Sequence, residues 1–221
     1  MFDIFFISYQ EPNADVNFAI LQDRFPIAQR VHGVKGIHQA HKEAAKKALT
    51  KMFYVVDGDA VIEEDFYFDY KVPQKDMDAV HVWRSKNPVN NLVYGYGGVK
   101  LLPRDLTLNM NIDTADMTTS ISSRFRPMEQ ISNISAFNTS PFDTWKSAFR
   151  ECVKLSSKVI DRQEDSETEA RLDAWCRSDD LIAVNGALAG KKYGTENKGN
   201  KEAIAKINDF AWLEEVYKNA N

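Results

Sequence analysis

The sequence is short of several features that would classify it quickly. It has two cysteines, Cys152 and Cys176, in 221 residues. That is too few for a disulfide framework, and neither stands in a CxxC or Cys/His array that would hold zinc. Both read as buried, reduced thiols. No hydrophobic run can cross a bilayer: the apolar start, Met1 to Ile7, falls far below the ~20 residues a span requires and lacks the basic flank of a signal peptide. The expectation is a soluble, cytoplasmic chain with no membrane partner. Excess positive charge is missing as well. With 28 basic and 32 acidic side chains the formal net charge is −4, so no general field gathers nucleic acid, and any such substrate needs a local patch. Nor is there a long Pro/Ser/Gly linker, an internal repeat or a low-complexity tract. With 43% hydrophobic residues, the chain suits a single domain over 1–221 with a sizeable core.

What is present points to an α/β fold. Phe2 to Ile7 is a nearly continuous apolar run that ends in Ser8-Tyr9-Gln10-Glu11-Pro12, the pattern of a strand covered on both faces that delivers a polar loop. A short helix is expected over Phe18 to Phe25, closed by Pro26. After Gly33-Val34-Lys35-Gly36, the residues Ile37, Ala40, His41, Ala44, Ala45 and Ala48 share one face of an amphipathic helix, with His41 read as a packing residue. Met52 to Val56 is a second buried strand, and further strands are expected at Ala79 to Trp83 and Gly98 to Leu102. This β-α-β opening favours a mainly parallel central sheet with helices on both faces. The second half is more helical, with stripes at Trp145, Ala148, Phe149, Cys152 and at Ala203, Ile204, Ile207, Phe210, Ala211. Two functional halves follow, 1–105 for ligand binding and 106–221 for a helical remainder.

The second strand runs straight into Asp57-Gly58-Asp59. Open α/β sheets bind ligands beyond the carboxyl ends of their strands, and paired carboxylates there suit Mg²⁺ or Mn²⁺ holding a diphosphate. Gly58 permits a sharp turn and close backbone approach. The triplet by itself is weak, since about one or two are expected by chance from this aspartate content, and Asp76-Met77-Asp78 is another. Position separates them: the first follows a buried strand, the second precedes one and reads as a turn.

The order of parts resembles the GT-A glycosyltransferases: Ile4-Phe5-Phe6-Ile7-Ser8-Tyr9-Gln10, then the helix from Ile37, then Val55-Val56-Asp57-Gly58-Asp59. The resemblance covers about the first half. It implies a GT-A-like domain and a UDP-sugar donor, with Ser8, Tyr9, Gln10 and Glu11 near base and ribose, Asp57 at the ribose or metal, and Asp59 on Mn²⁺ or Mg²⁺. The stretches Tyr94 to Leu101, Asp116 to Ser120 and Trp145 to Glu151 are similar to a narrower group, small tailed-phage glycosyltransferases. That likeness implies transfer of arabinose or glucose to 5-hydroxymethylcytosine in phage DNA, in the host cytoplasm. A polysaccharide or protein acceptor is the alternative, and a non-catalytic nucleic-acid- or protein-binding module a further one. The last histidine is His81, so the C-terminal histidine that GT-A enzymes often add to the metal has no counterpart.

Other residues attach to this reading. Arg30 and Lys35, with His38, flank the start of the first strong helix, where a diphosphate is favoured. Between Ala79 and Arg104 there is no acidic residue, while Arg84, Lys86, Lys100 and Arg104 interleave with Trp83, Tyr94 and Tyr96. Such a segment could dock DNA, although a strand pair with its aromatics in the core explains it too. Asp116, Glu151 and Asp143 are the carboxylates considered for the acceptor's proton or for sugar hydroxyls, against plain roles as helix cap or surface ion pair.

Overall fold

The computed structural model describes residues 1–94, 97–112, 117–159 and 165–220. The chain forms two compact units, Met1–Asn87 with Val93–Ala136 and Pro88–Leu92 with Phe137–Asn221. The first unit extends to Ala136 because a long strand after residue 124 returns to its sheet.

The first unit contains strands β1 (Asp3–Ser8), β2 (Gln29–His32), β3 (Met52–Asp57), β4 (Ala60–Ile62), β5 (Val80–Lys86), β6 (Val93–Tyr94), β7 (Val99–Pro103) and β8 (Phe125–Ser135). It also contains helices α1 (Ala14–Arg24), α2 (Ile37–Lys47), α3 (Arg104–Leu108) and α4 (Met117–Ile121). The sheet order is β2-β1-β3-β7-β5-β8-β4, with β6 on β5. The sheet is mixed. β1 pairs parallel with β2 and β3, and β5 with β8, whereas β7 runs against β3 and β5, β4 against β8, and β6 against β5. Helix crossovers produce the parallel β2-β1-β3 part, as the opening β-α-β pattern requires.

Alternation along the strands divides the core. Ile4, Phe6, Met52, Tyr54 and Val56 pack with Ala14 and Leu21 of α1 and with Phe66, Phe68 and Trp83. Phe5, Phe53 and Val55 pack on the other face with Ala44 and Ala45 of α2, Met110, and Met117 and Ile121 of α4. Both faces are therefore covered, which is why β1 and β3 read as unbroken apolar runs. His41 is buried in the α2 stripe; its Nδ1 donates to Ile37 O at 2.8 Å, so it is a packing residue.

The second unit is helical: α5 (Pro141–Ser157), α6 (Asp165–Cys176), α7 (Leu181–Glu196), α8 (Lys201–Ala205) and α9 (Phe210–Ala220). Ser140 caps α5 by accepting from Asp143 N, with Pro141 at the first position, and Asp180 caps α7 by accepting from Ile182 N and Ala183 N. Glycines at every fourth position of α7 face the α5 backbone. A Cβ at Gly186 would stand 2.4 Å from Trp145 O, one at Gly190 2.3 Å from Phe149 O, and one at Gly194 2.6 Å from Val153 O. The two helices touch backbone to backbone, and Trp145 stacks on Phe149 at 4.8 Å between centroids.

Gly190→Ala should therefore destabilise the protein by about 2–3 kcal/mol through overpacking, outweighing the roughly 1 kcal/mol that alanine adds to helix propensity. Thermal melting checks this, and a raised midpoint would contradict the contact.

Candidate functional site

The carboxyl ends of β1, β2 and β3 lie side by side, with Ser8 opposite His32 and Ile7 opposite Asp57. Three loops leave this edge: residues 9–13, Gly33 to Gly36, and Asp57 to Asp59. Gly33 N donates to Ser8 O at 3.0 Å, and Asp57 N donates to Gly98 O at 2.9 Å. Ser8 is buried; its hydroxyl accepts from Arg30 Nε at 2.8 Å and stands 2.9 Å from His32 Nδ1. Arg30 also pairs with Asp15 at 2.6 Å. Lys35 is exposed in the loop after β2, and Tyr9 and Gln10 are exposed in the loop after β1.

Glu11 turns back on this edge. Its Oε2 accepts from Tyr9 N at 2.7 Å, and a Cβ at Gly58 would lie 2.7 Å from the same oxygen and 3.1 Å from Ser8 Cβ. Glycine is needed at 58 because the space a side chain would fill is taken by the Glu11 carboxylate. The Gly58 peptide is held from below by Asn17 Nδ2, which donates to Gly58 O at 3.0 Å. Asp59 O accepts from Ala136 N at 2.7 Å, which ties the turn to the end of β8. Glu11, Asp57 and Asp59 therefore crowd one turn.

Lys100 answers part of that charge. It lies on β7 opposite Val55, and its Nζ donates to Asp57 Oδ1 at 2.7 Å, with 5% of the lysine side chain and 33% of the aspartate exposed. Burial raises the Asp57 carboxyl above its ordinary value and the Glu11 charge adds to this, while Lys100 pulls the other way. Asp59 is pushed to about 7, first by burial and then by the charges of Asp57 and Glu11. A carboxylate pair that resists ionisation by itself suits a cation that relieves it. Among the described residues no group of three or more His, Cys, Asp or Glu is placed to hold a metal ion. Two carboxylates fit Mg²⁺ or Mn²⁺ when substrate phosphates and water complete the shell.

The structure thus gathers Ser8, Tyr9, Gln10, Glu11, Arg30, Lys35, Asp57, Gly58 and Asp59 at one sheet edge. It does not gather the basic segment. Lys100 is buried in its ion pair with Asp57, which takes it out of any DNA-docking surface. Arg104 is at the far end of the sheet, where its N–H donates to Lys51 O ahead of β3 and its Nε to Ala48 O, both at 2.9 Å. Arg84 pairs with Glu129 at 2.9 Å on an exposed surface, and Lys86 is half-buried. Tyr96 and the side chain of Tyr94 lie outside the described residues.

The three acidic candidates part company too. Asp116 lies outside the described residues. Asp143 serves α5: it accepts from Thr139 Oγ1 and Ser140 Oγ at 2.8 Å each and pairs with Lys146 at 2.6 Å. Burial would raise its carboxyl, but these partners hold it below the ordinary range. Asp143 is thus engaged at the entrance of α5, beside the Ser140 cap. Glu151 is in α5 of the second unit, 12% exposed and 3.6 Å from Lys154. Reading the sequence missed His32, Asn17 and the role of Lys100. The signal for Lys100 was available: it is the one charge in Val99-Lys100-Leu101-Leu102-Pro103.

No protein-family model matches the sequence, and no curated protein does. Among solved structures, the chain is similar to the mannosyltransferase PcManGT from Pyrobaculum calidifontis in complex with GDP-Man and Mn²⁺, with a TM-score of 0.46 and 13% identity over 99% of this chain and 82% of that one. It is also similar to HddC from Yersinia pseudotuberculosis, with a TM-score of 0.37 and 12% identity over 59% of this chain and 71% of that one. Among the described residues, no helix is long and apolar enough to cross a membrane.

The raised Asp59 carboxyl has a pH signature. Its folded value of about 7 lies above the ordinary 3.8, so the protonated form stabilises the metal-free fold fully below 3.8, and this is lost as pH rises through about 7. Asp59→Asn, which mimics the protonated acid, should match wild type near pH 4 in EDTA and melt higher than wild type at pH 8. Parallel melting curves at both values would contradict the shift.

Proposed function

We propose that the chain is a metal-dependent glycosyltransferase that moves a sugar from a nucleoside-diphosphate donor, a UDP-sugar, to a hydroxyl acceptor. The observation that carries this reading is the turn at the end of β3, where Asp57 and Asp59 flank a glycine packed under Glu11. That turn lies beside the loops after β1 and β2. Asp57 and Asp59 would hold Mn²⁺ or Mg²⁺, which when bound neutralises the charge developing on a departing diphosphate. The exposed Tyr9 and Gln10 offer a ring and an amide to the base and ribose. Arg30, held by Ser8 and Asp15, and the exposed Lys35 supply positive charge beside the same edge.

Glu151, Asp116 and Asp143 are the carboxylates we propose for the acceptor's proton or the sugar hydroxyls. The 5-hydroxymethylcytosine acceptor and the choice of arabinose or glucose rest on the phage resemblance alone, and the docking surface once expected of Lys100 and Arg104 does not support them. Incubating the protein with a UDP-sugar and either hydroxymethylated DNA or a polysaccharide, followed by mass spectrometry, identifies the acceptor. Modified nucleosides uphold the DNA reading, and an unmodified nucleoside pool beside a glycosylated polysaccharide replaces it.

Asp59→Asn should abolish Mn²⁺-dependent UDP binding, a loss of about a hundredfold or more in affinity for a residue on the metal, while the fold persists. Calorimetry checks both. UDP and Mn²⁺ binding the variant as tightly as wild type would remove the metal assignment and the transferase reading with it.

A further inference from the structure

Lys100 places a positive charge inside a site that is read as binding a cation. Its surroundings make that charge hard to move. The lysine is on β7, with its backbone opposite Val55. Gly97, with φ +76°, leaves room for the side chain: a Cβ there would lie 3.2 Å from Lys100 Cε and 3.7 Å from Val82 Cγ1. The lysine side chain is only 5% exposed, and Asp57 Oδ1 at 2.7 Å is the counter-charge of its ammonium. A buried ammonium without an acceptor is strongly disfavoured, so Lys100 does not surrender Asp57 to an incoming ion at no cost.

We propose that Lys100 is a built-in counter-cation that prevents Asp57 and Asp59 from capturing a metal ion alone, so that the ion enters only together with the donor's diphosphate. This rests on the metal-dependent reading above. A divalent ion that approached Asp57 would meet the ammonium 2.7 Å from its Oδ1, and repulsion between like charges is strong in a partly desolvated site. A diphosphate brings negative charge that offsets both cations and supplies the oxygens that two aspartates lack. The site holds an internal competitor for the metal, so metal and diphosphate bind as a pair. By linkage, each must tighten the other by the same factor.

Calorimetric titration of Mn²⁺ into the full chain, with and without UDP, tests this. Wild type should bind Mn²⁺ about tenfold or more tightly when UDP is present, and UDP correspondingly more tightly when Mn²⁺ is present. Lys100→Met should bind Mn²⁺ alone about tenfold more tightly than wild type and show a smaller coupling to UDP. Lys100→Gln, which keeps a donor for Asp57 and removes the charge, gives the same comparison if the methionine variant does not fold. Equal Mn²⁺ affinity in wild type with and without UDP overturns the proposal, as does a folded uncharged variant whose affinity for Mn²⁺ alone is unchanged. In both cases the transferase reading stands if Mn²⁺–UDP binds wild type and Asp59→Asn abolishes that binding. If wild type binds neither Mn²⁺ nor UDP in any combination, both fall.

Discussion

Negative charge concentrated at the end of a fully buried strand is the constraint around which the first unit is arranged. Met52 to Val56 is closed off on both faces, so the chain emerges from an apolar interior directly into Asp57. The ammonium of Lys100, delivered by the neighbouring antiparallel strand β7, lets a carboxylate exist at that point. Asp59 beside it is pushed to about 7, first by burial and then by the charges of Asp57 and Glu11. β7 therefore does two things: it covers β3 with Leu101 and Leu102, and through Lys100 it sets the charge of the candidate site. An all-parallel arrangement would put a different strand there.

The parts of the fold legible in the sequence are those whose environment is uniform. β1 and β3 are unbroken apolar runs because both faces of the sheet are covered, and α2 shows a clean stripe because small alanines meet the sheet. Other elements gave no such signal. β2 is four residues long, with only Val31 buried. β8 buries Ser132, Asn133 and Ser135 and leaves much of Phe125 to Gln130 exposed, so its inward side is polar. Ser85 and Ser132 both donate to Asn133 Oδ1, at 2.9 and 2.8 Å, satisfying what alternation of hydrophobic residues could not predict. α7 reverses the usual pattern: Gly186, Ala187 and Gly190 are buried while Leu181, Ile182 and Leu188 face outward.

The candidate site was legible where function follows from position along a strand. Asp57 and Asp59 stand out because they end a buried strand, and Ser8 to Glu11 because they end its neighbour. Counting charges over a segment failed: it grouped Lys100 with Arg84 and Arg104, although β7 places Lys100 toward the Asp57 end of β3 and leads to Arg104 at the other. The partners of Asp143 are local in sequence. Ser140-Pro141-Phe142-Asp143 has serine at a helix entrance and an acid three residues on, a local arrangement that occupies the carboxylate.

One helix connects these observations. α1 has little amphipathic character, with Ala14, Asn17 and Leu21 as its buried residues, and is fastened by polar side chains to carbonyl oxygens. Asn13 donates to Ala136 O and Asn17 to Gly58 O, both at 3.0 Å, while Arg24 reaches the carbonyls of Ile62, Glu63, Glu64 and Phe66. The helix acts as a splint across three pieces of irregular chain. Hydrogen bonds tolerate rotation less well than oily contacts do, so α1 cannot roll in place. Any tilt of it would be transmitted as a pull on the peptide between the two aspartates.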